Sequence, residues 1–487
     1  MITRSSRSAL ALAIATALTS GSALATNGMH MEGYGPIATA MGGASFAFDI
    51  GNGAMAHNPA TLSFLRSGSK VEVALGNLRP DITSTMTAMP AGTPGRSVDS
   101  DANSFLMPAA GYARRVGPMV YGVGMYAIGG MGTEYKGNSF MSAGTGERSL
   151  SQVGVGRLIA PLSYDVSPDL TVGGSLDLMW GGFDLQMAMP VMADTDGDGT
   201  PDSPAPGTFA DFSSAFGGGE VLGSATFAPS FATAIGNMIA GGATAVRFDF
   251  ADGSDFSGSA KGIGFGGKLG FVYRVNPQLS IGGVYHTKVA MGDYETSGSA
   301  AKLQGYAGTT KIGEISGKMK VKDFDWPAIF GIGLAYQATP QWLLAADVKQ
   351  IRWSDVMKVF KMQFVADGNN AALGIAKGDT IDIKMNQDWD DQVVLSLGAA
   401  YQMTPDLTLR FGANLSDNPV PDEFMNPLFP AIIKNHYTAG FSYSFSPASM
   451  FSASLVVAPE VTQTNSNTLV KTSHSQTNLQ FMYTYRF

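Results

Sequence analysis

The chain has 487 residues, of which 45% are hydrophobic and only 14% charged, with 61 glycines and no cysteine. Without cysteine it can form neither a disulfide nor a thiolate site for catalysis or metal binding. The net charge of −8 argues against a nucleic-acid partner, and we expect none.

The first residues predict export. Residues 4–7 carry two arginines, residues 9–18 form a short apolar stretch, and Ala23 and Ala25 offer small side chains at a cleavage site. We therefore predict a signal peptide over residues 1–25. No later segment approaches the roughly 20 apolar residues of a membrane-spanning helix. An exported, apolar and glycine-rich chain of this kind is typical of an outer-membrane β-barrel.

One short phrase, Tyr-x-x-(Ser/Asn/Thr)-Pro, recurs along the chain and predicts tight turns. Its copies begin at Tyr164, Tyr273, Tyr336, Tyr401 and Tyr443, with a degenerate copy at Tyr112. Proline presets φ, and small polar side chains hydrogen-bond their own backbone, so each copy should close one strand and open the next. Six such turns give twelve strands, and one further strand is expected before them and one after.

The runs beside these turns alternate apolar residues with small or polar ones, as in residues 263–273. This period of two predicts strands with a lipid-facing and a luminal face. The expected fold is all-β: a 14-stranded antiparallel transmembrane β-barrel over residues 69–487, with both termini on the periplasmic side. The longest link, about residues 189–258, is predicted to be an extracellular loop with a short helix near residues 231–239.

The segment over residues 26–68 precedes the first predicted strand and is rich in Gly, Ala and Met. A barrel of about 14 strands encloses a lumen that leaks unless it is filled. We therefore expect this segment to plug the barrel as a small N-terminal hatch.

Several phrases of the chain, taken in order, resemble the FadL family of outer-membrane transporters, which includes a TodX-like branch. They are Gly33-Tyr34-Gly35, Met41-Gly42-Gly43-Ala44, Asn58-Pro59-Ala60, Asp325-Trp326-Pro327, and the stretches 410–422 and 429–440. The resemblance spans nearly the whole mature chain. It implies passive uptake of hydrophobic molecules across the bacterial outer membrane, with long-chain fatty acids as the first expectation and aromatic hydrocarbons as the alternative.

The resemblance also implies a route. Substrate would be caught among the outer loops, pass to a pocket near the hatch, and leave sideways through a kinked strand. Asn58, Pro59 and Ala60 are the candidate hatch residues, although Asn-Pro is also a common turn. By the resemblance the kink is expected at Gly129, Gly130 and Gly132, since glycine in a strand marks bulges, and Pro108 and Pro161 are the rival weak points. The expected partners are hydrophobic small molecules, outer-membrane lipid and lipopolysaccharide, and the barrel-assembly machinery, which would read the aromatic C-terminal strand.

Lys268, Lys288 and Arg410 fall on the luminal face in the predicted register. A fatty-acid carboxylate needs a cationic partner once it leaves bulk water, so these three are candidate substrate-binding residues. The alternative is structural, because luminal charges also pair with one another, and a slip of one residue would invert the assignment.

Residues 194–202 read DTDGDGTPD, in which Asp194, Asp196, Asp198 and Asp202 alternate with glycine and small residues. Such oxygen ligands suit a structural Ca²⁺ in the large loop, and a solvated acidic turn is the alternative. No other cofactor is required. The sequence contains no H-E-x-x-H or G-x-S-x-G phrase, so we expect no catalytic residue and no enzyme; a general porin is also less favoured, because it needs no hatch.

Overall fold

The computed structural model describes residues 27–192, 203–254 and 257–487. In these residues the strands form one continuous antiparallel sheet that closes on itself. None of the described helices is long and apolar enough to cross a membrane. The four aspartates of the predicted calcium site, Asp194, Asp196, Asp198 and Asp202, lie outside the described residues.

The sheet contains 23 strands within the described residues. They are β1 Ser69–Met86, β2 Ser97–Asp99, β3 Phe105–Val116, β4 Met119–Tyr135, β5 Ser149–Asp165, β6 Leu170–Pro190, β7 Gly223–Phe227, β8 Ala245–Phe250, β9 Ala260–Arg274, β10 Leu279–His286, β11 Ala290–Met291, β12 Tyr294–Thr296, β13 Ala301–Ala307, β14 Thr310–Lys322, β15 Ile329–Gln337, β16 Trp342–Ile351, β17 Val359–Ala366, β18 Thr380–Asn386, β19 Gln392–Gln402, β20 Leu407–Ser416, β21 His436–Ser446, β22 Ser449–Thr464 and β23 Val470–Arg486.

In the part of the chain that the structure describes, two α-helices accompany the strands, α1 (Pro36–Thr39) and α2 (Pro229–Ala240). Short 3₁₀ turns lie at Gly51–Met55, Pro59–Phe64, Phe140–Ser142, Ala210–Phe212, Ser214–Phe216, Trp353–Asp355, Gly368–Leu373 and Asp422–Phe424. The helix predicted in the long loop is confirmed as α2. The same loop also contributes the strands β7 and β8, which the alternation pattern did not indicate.

All six predicted turns are confirmed, and each joins two neighbouring strands of the sheet. Their polar residues act as expected. The Leu407 amide donates to Thr404 Oγ1 at 3.1 Å, and the Leu279 amide donates to Asn276 Oδ1 at 2.9 Å. These six turns define one end of the barrel, which we call the turn end; the opposite end, with the long connections, is the loop end.

The predicted number of 14 strands is wrong. The closed circuit of paired strands runs β1-β3-β4-β5-β6-β8-β13-β14-β12-β9-β10-β15-β16-β19-β20-β21-β22-β23 and back to β1, which is 18 strands among the described residues. Of the four additional strands, β8 and β13 come from segments predicted as loops. The other two, β12 and β14, lie largely within the segments 278–297 and 314–338, each of which was predicted as a single strand. β6 pairs with β9 over Leu170–Phe183 and then with β8 over Leu185–Pro190, so these strands lengthen the wall at the loop end.

The period-two pattern did place the two faces of the wall. Apolar side chains such as Leu176, Phe265 and Leu269 stand exposed on the outer surface, as a lipid-facing band requires, while Lys268 between two of them is buried inside. The barrel closes where β1 meets β23, and at the turn end the Ser69 amide donates to the Phe487 carbonyl at 2.7 Å.

Residues 27–68, which we call the hatch segment, lie within the ring of strands and are almost entirely buried. Their hydrogen-bond partners come from strands all around the barrel. Close contact with the hatch segment explains part of the glycine content of the wall. A Cβ at Gly282 would stand 1.8 Å from the Phe46 carbonyl oxygen, and a Cβ at Gly270 would stand 2.1 Å from Asn58 Oδ1. Only glycine lets the hatch backbone approach so closely.

Candidate functional site: a luminal cavity beside the hatch segment

Asn58 ties the hatch segment to the wall. Its Nδ2 donates to the Phe46 carbonyl at 2.8 Å within the segment and to the Phe271 carbonyl of β9 at 3.0 Å. Its Oδ1 accepts from the Ala60 amide at 3.1 Å and so caps the turn that starts at Pro59. The predicted Asn58-Pro59-Ala60 residues therefore lie where the hatch segment meets the wall.

Two carboxylates of the wall hold the same segment from other sides. Asp347 Oδ2 on β16 accepts from the amides of Ser45 at 2.6 Å and Phe46 at 3.1 Å. Glu72 Oε2 on β1 accepts from the Asn52 amide at 2.6 Å. Hydrogen bonds to charged acceptors are stronger than neutral ones, so the segment is fixed at defined points rather than packed loosely.

The start of the hatch segment holds a bulge in β4. The pairing of β4 with β5 shifts register between Ala127 and Gly129. Ile128, in the bulge, accepts from Tyr34 Oη at 2.8 Å through its carbonyl oxygen, and Gly130 donates to the Met29 carbonyl at 3.3 Å. The predicted kink residues Gly129, Gly130 and Gly132 all line the cavity beside this bulge.

The cavity has a volume of about 670 Å³ and crosses the wall. On the inside it is bounded by hatch residues 28–31. On the outside it is bounded by Leu106 and Ile263, whose side chains are 47% and 59% exposed on the outer face of the barrel. Gly154 of β5 also lines it, and a Cβ there would meet no atom within 4 Å. The hatch segment is thus joined to the lipid-facing surface by a mostly apolar passage.

The titratable groups of the hatch segment near this cavity are shifted toward their neutral forms. Burial, helped by the nearby Arg157 charge, lowers the pKa of His30 well below its usual value, and burial also lowers that of His57. Burial raises the pKa of Glu32, and this effect outweighs that of the hydrogen bonds that favour the charged form. A weakly charged inner wall suits an apolar ligand.

The three cations predicted to bind a carboxylate each have a protein partner. The Lys268 ammonium contacts the Asp177 carboxylate, Lys288 Nζ lies 2.7 Å from Asp325 Oδ2, and Arg410 Nη1 donates to Ser442 Oγ at 2.7 Å. None of these three residues lines the cavity. Their role in binding substrate stays a prediction.

Lys349 is a cation that the sequence analysis did not single out. It lines a separate pocket of about 20 Å³ together with Arg157, His57 and His286. Arg157 lies 3.2 Å from Asp177 Oδ2, whereas the Lys349 ammonium makes no hydrogen bond or salt bridge with any other described residue. The sequence did contain a pattern that indicates Lys349, since this residue follows Asp347 by two positions and therefore shares its luminal face.

The described residues contain no group of three or more His, Asp or Glu side chains placed to hold a metal ion. The calcium site predicted at residues 194–202 falls outside them and stays a prediction.

Comparison with known proteins shows the family to which the chain belongs. The family model described as "Outer membrane protein transport protein (OMPP1/FadL/TodX)" matches residues 12–486. The chain belongs to this family. The predicted family is therefore confirmed, and with it the prediction of a transport protein rather than an enzyme.

Two solved structures of similar proteins cover nearly the whole chain. The toluene transporter TodX of P. putida is 27% identical, with a TM-score of 0.76 and coverage of 94% of this chain and 99% of that one. The toluene transporter TbuX of Ralstonia pickettii is 26% identical, with a TM-score of 0.71 and coverage of 94% and 99%. A FadL homologue of Pseudomonas aeruginosa, at 15% identity and a TM-score of 0.67 over 94% and 100%, shares the fold.

Two relatives found by sequence match more locally. A 47 kDa outer membrane protein of Pasteurella multocida is 29% identical over 191 residues, which is 38% of this chain and 41% of that protein. An uncharacterised protein of Chlorobium limicola is 45% identical over 84 residues, 17% of this chain and 40% of that protein. The chain thus matches about two fifths of the length of these two relatives.

Proposed function

We propose that this protein is an outer-membrane channel for small apolar molecules, which pass the hatch segment and leave sideways through the opening beside the β4 bulge. The observation that supports this route most directly is the cavity that joins hatch residues 28–31 to the outer surface at Leu106 and Ile263. An apolar molecule that passes from the cavity directly into lipid is not exposed to water on the way. It therefore keeps the free energy that it gained when the cavity removed it from water. Transport of this kind is passive and needs no cofactor.

The lining of the cavity favours an uncharged cargo. Among its described residues the only Lys or Arg is Lys261, which lies 3.9 Å from the Asp252 carboxylate and is largely exposed at the rim. A carboxylate in the enclosed part would lose its hydration without gaining a cation, at a cost of several kcal/mol. Monoaromatic hydrocarbons, the class to which the cargo of the TodX and TbuX transporters belongs, are therefore our first candidate substrates.

Long-chain fatty acids are the second candidate, and one observation favours them. Lys349 is a luminal cation without a salt-bridge partner among the described residues, and its pocket shares His30 and Met31 with the large cavity. A fatty acid with its chain in the large cavity could bring its carboxylate toward Lys349 if the hatch segment shifts at His30.

Competition distinguishes the two candidates. A fluorescent long-chain fatty acid is titrated onto the refolded, detergent-solubilised protein, and then displaced by toluene or by oleate. Displacement by toluene, unchanged in Lys349→Met, supports hydrocarbon uptake. Displacement by oleate that weakens about tenfold or more in Lys349→Met supports fatty-acid uptake. If neither ligand displaces the probe, the proposed function fails.

The sideways exit has its own test at Gly154. A tryptophan in Gly154→Trp would project from the wall into the outer mouth of the cavity, where a Cβ meets no other atom. Uptake of toluene by cells should fall severalfold, while binding to the purified variant should stay within about twofold. The matched variant Gly154→Ala should transport normally. Equal uptake by Gly154→Trp and the parent would refute the exit.

The remaining assignments follow from this function. We propose that the turn end and both termini face the periplasm and that the loop end faces outward, next to lipopolysaccharide. The barrel-assembly machinery would read the C-terminal strand that ends at Phe487. We also propose that Asp194, Asp196, Asp198 and Asp202 bind a structural Ca²⁺; calorimetric titration with Ca²⁺, repeated on Asp196→Asn, tests this, and no heat of binding would refute it.

A further inference from the structure

The cavity beside the hatch segment is apolar except for a few side chains, and three of these share an unusual property. His30, His474 and Gln476 all line it and are only 5%, 5% and 4% exposed. In each of them a buried nitrogen has no hydrogen-bond partner among the described residues: His30 Nε2, His474 Nε2 and Gln476 Nε2. Buried polar groups are nearly always paired, so three unpaired nitrogens along one cavity require an explanation.

The hydrogen bonds on the far side of each imidazole fix what its free nitrogen offers. His474 Nδ1 lies 3.0 Å from the Pro430 carbonyl oxygen, which can only accept, so the proton sits on Nδ1. His30 Nδ1 lies 3.2 Å from Tyr34 Oη, whose own hydrogen is donated to the Ile128 carbonyl, so this nitrogen also carries the proton. In a neutral imidazole the other nitrogen is then an acceptor. Both histidines therefore present an acceptor Nε2.

Gln476 supplies the complementary group. It follows His474 by two residues on β23, so the two side chains leave the strand on the same face, about 7 Å apart along it. Their partners across the strand pair, Pro80 and Ile82 of β1, line the same cavity. The Gln476 amide is a donor through Nε2, so an acceptor and a donor stand next to each other on one wall of an apolar cavity.

We propose that this polar edge recognises a single neutral hydroxyl group on an otherwise apolar molecule, as in a phenol or an aromatic alcohol. The ligand hydroxyl would donate to His474 Nε2, and its oxygen would accept from Gln476 Nε2. A hydroxyl that enters an apolar cavity loses its hydrogen bonds to water, and this edge replaces them. A pure hydrocarbon would leave the same protein nitrogens unpaired. The inference refines the proposed function and rests on it.

Toluene and phenol form a suitable pair of probes, because a methyl group is replaced by a hydroxyl of similar size. Binding of each is measured on the refolded full chain in detergent. Gln476→Leu removes the donor. His474→Asn removes Nε2 while its side-chain amide can still donate to the Pro430 carbonyl. The matched control is Gln480→Leu, since Gln480 lies on the same strand with an equally buried, unpaired Nε2 but does not line the cavity.

We expect phenol binding to weaken about 3- to 10-fold in Gln476→Leu and in His474→Asn, with toluene binding within about twofold of the parent or tighter, since one neutral hydrogen bond is lost. Gln480→Leu should change neither. Phenol binding that is unaffected, or toluene binding that falls equally, would overturn the inference and leave the proposed function standing. If the parent binds phenol with this dependence but not toluene, the hydrocarbon proposal fails alone; if it binds neither, both fail.

Discussion

Replacing Asn58 by alanine should release the hatch segment without unfolding the barrel. The side chain makes three hydrogen bonds: to the Phe46 carbonyl at 2.8 Å, to the Phe271 carbonyl at 3.0 Å, and from the Ala60 amide at 3.1 Å. Each buried hydrogen bond is worth about 0.5–1.5 kcal/mol net, so Asn58→Ala should destabilise the docked segment by about 2–4 kcal/mol. Since 1.4 kcal/mol is a factor of ten, its opening should become roughly 30-fold or more frequent.

Amide hydrogen exchange measures this opening directly. Amides of residues 45–64 should exchange roughly 30-fold faster in the variant, while amides in β9 and β10 away from the contact serve as an internal reference. The barrel ladder is closed and does not depend on Asn58, so its exchange should not change. In planar bilayers the variant should also conduct more ions, since the lumen is less often filled.

The matched control is Asn276→Ala. Asn276 also accepts two backbone amides, those of Gln278 and Leu279, each at 2.9 Å, but it lies in an exposed turn away from the hatch segment. This variant should leave hatch exchange and conductance unchanged. Hatch exchange in Asn58→Ala within about threefold of the parent would refute the reasoning, because the three bonds would then contribute nothing to docking.

Three further predictions concern single side chains. Gly129→Ala would place a Cβ 2.1 Å from the Met29 carbonyl oxygen, so the start of the hatch segment should move and conductance should rise, whereas Gly154→Ala should not alter it. Burial raises the pKa of Glu32 in the folded state, so its contribution to docking is present at low pH and is lost as pH rises through that pKa. In Glu32→Gln, hatch protection corrected for intrinsic exchange rates should therefore fall less than in the parent as pH rises, and an unchanged pH dependence would contradict this. Lys268→Met should leave the affinities for oleate and toluene within twofold, because the Lys268 ammonium already contacts a carboxylate of the wall, and a tenfold loss for oleate alone would show that it binds substrate.

The sequence by itself determined the features that depend on neighbours along the chain. Each turn forms from one proline and one small polar side chain within a few residues, as Thr404 and Asn276 show. The two faces of the wall follow from the alternation of side chains along a single strand, which is why Lys268 could be placed inside before any partner was known. The ordered phrases of the chain were also enough to identify the family.

Only the tertiary structure decided what depends on pairing between distant residues. The strand count rose from 14 to 18 for two reasons. β8 and β13 pair within the long connections by backbone hydrogen bonds, which carry no sequence phrase of their own, and the segments 278–297 and 314–338 each form more than one strand. The partner of Lys268 is Asp177, 91 residues away, so sequence could not show that this cation is already neutralised. The cavity is lined by His30 of the hatch segment and by His474 and Gln476 of the last strand, and such a lining exists only once the barrel has closed around the hatch segment.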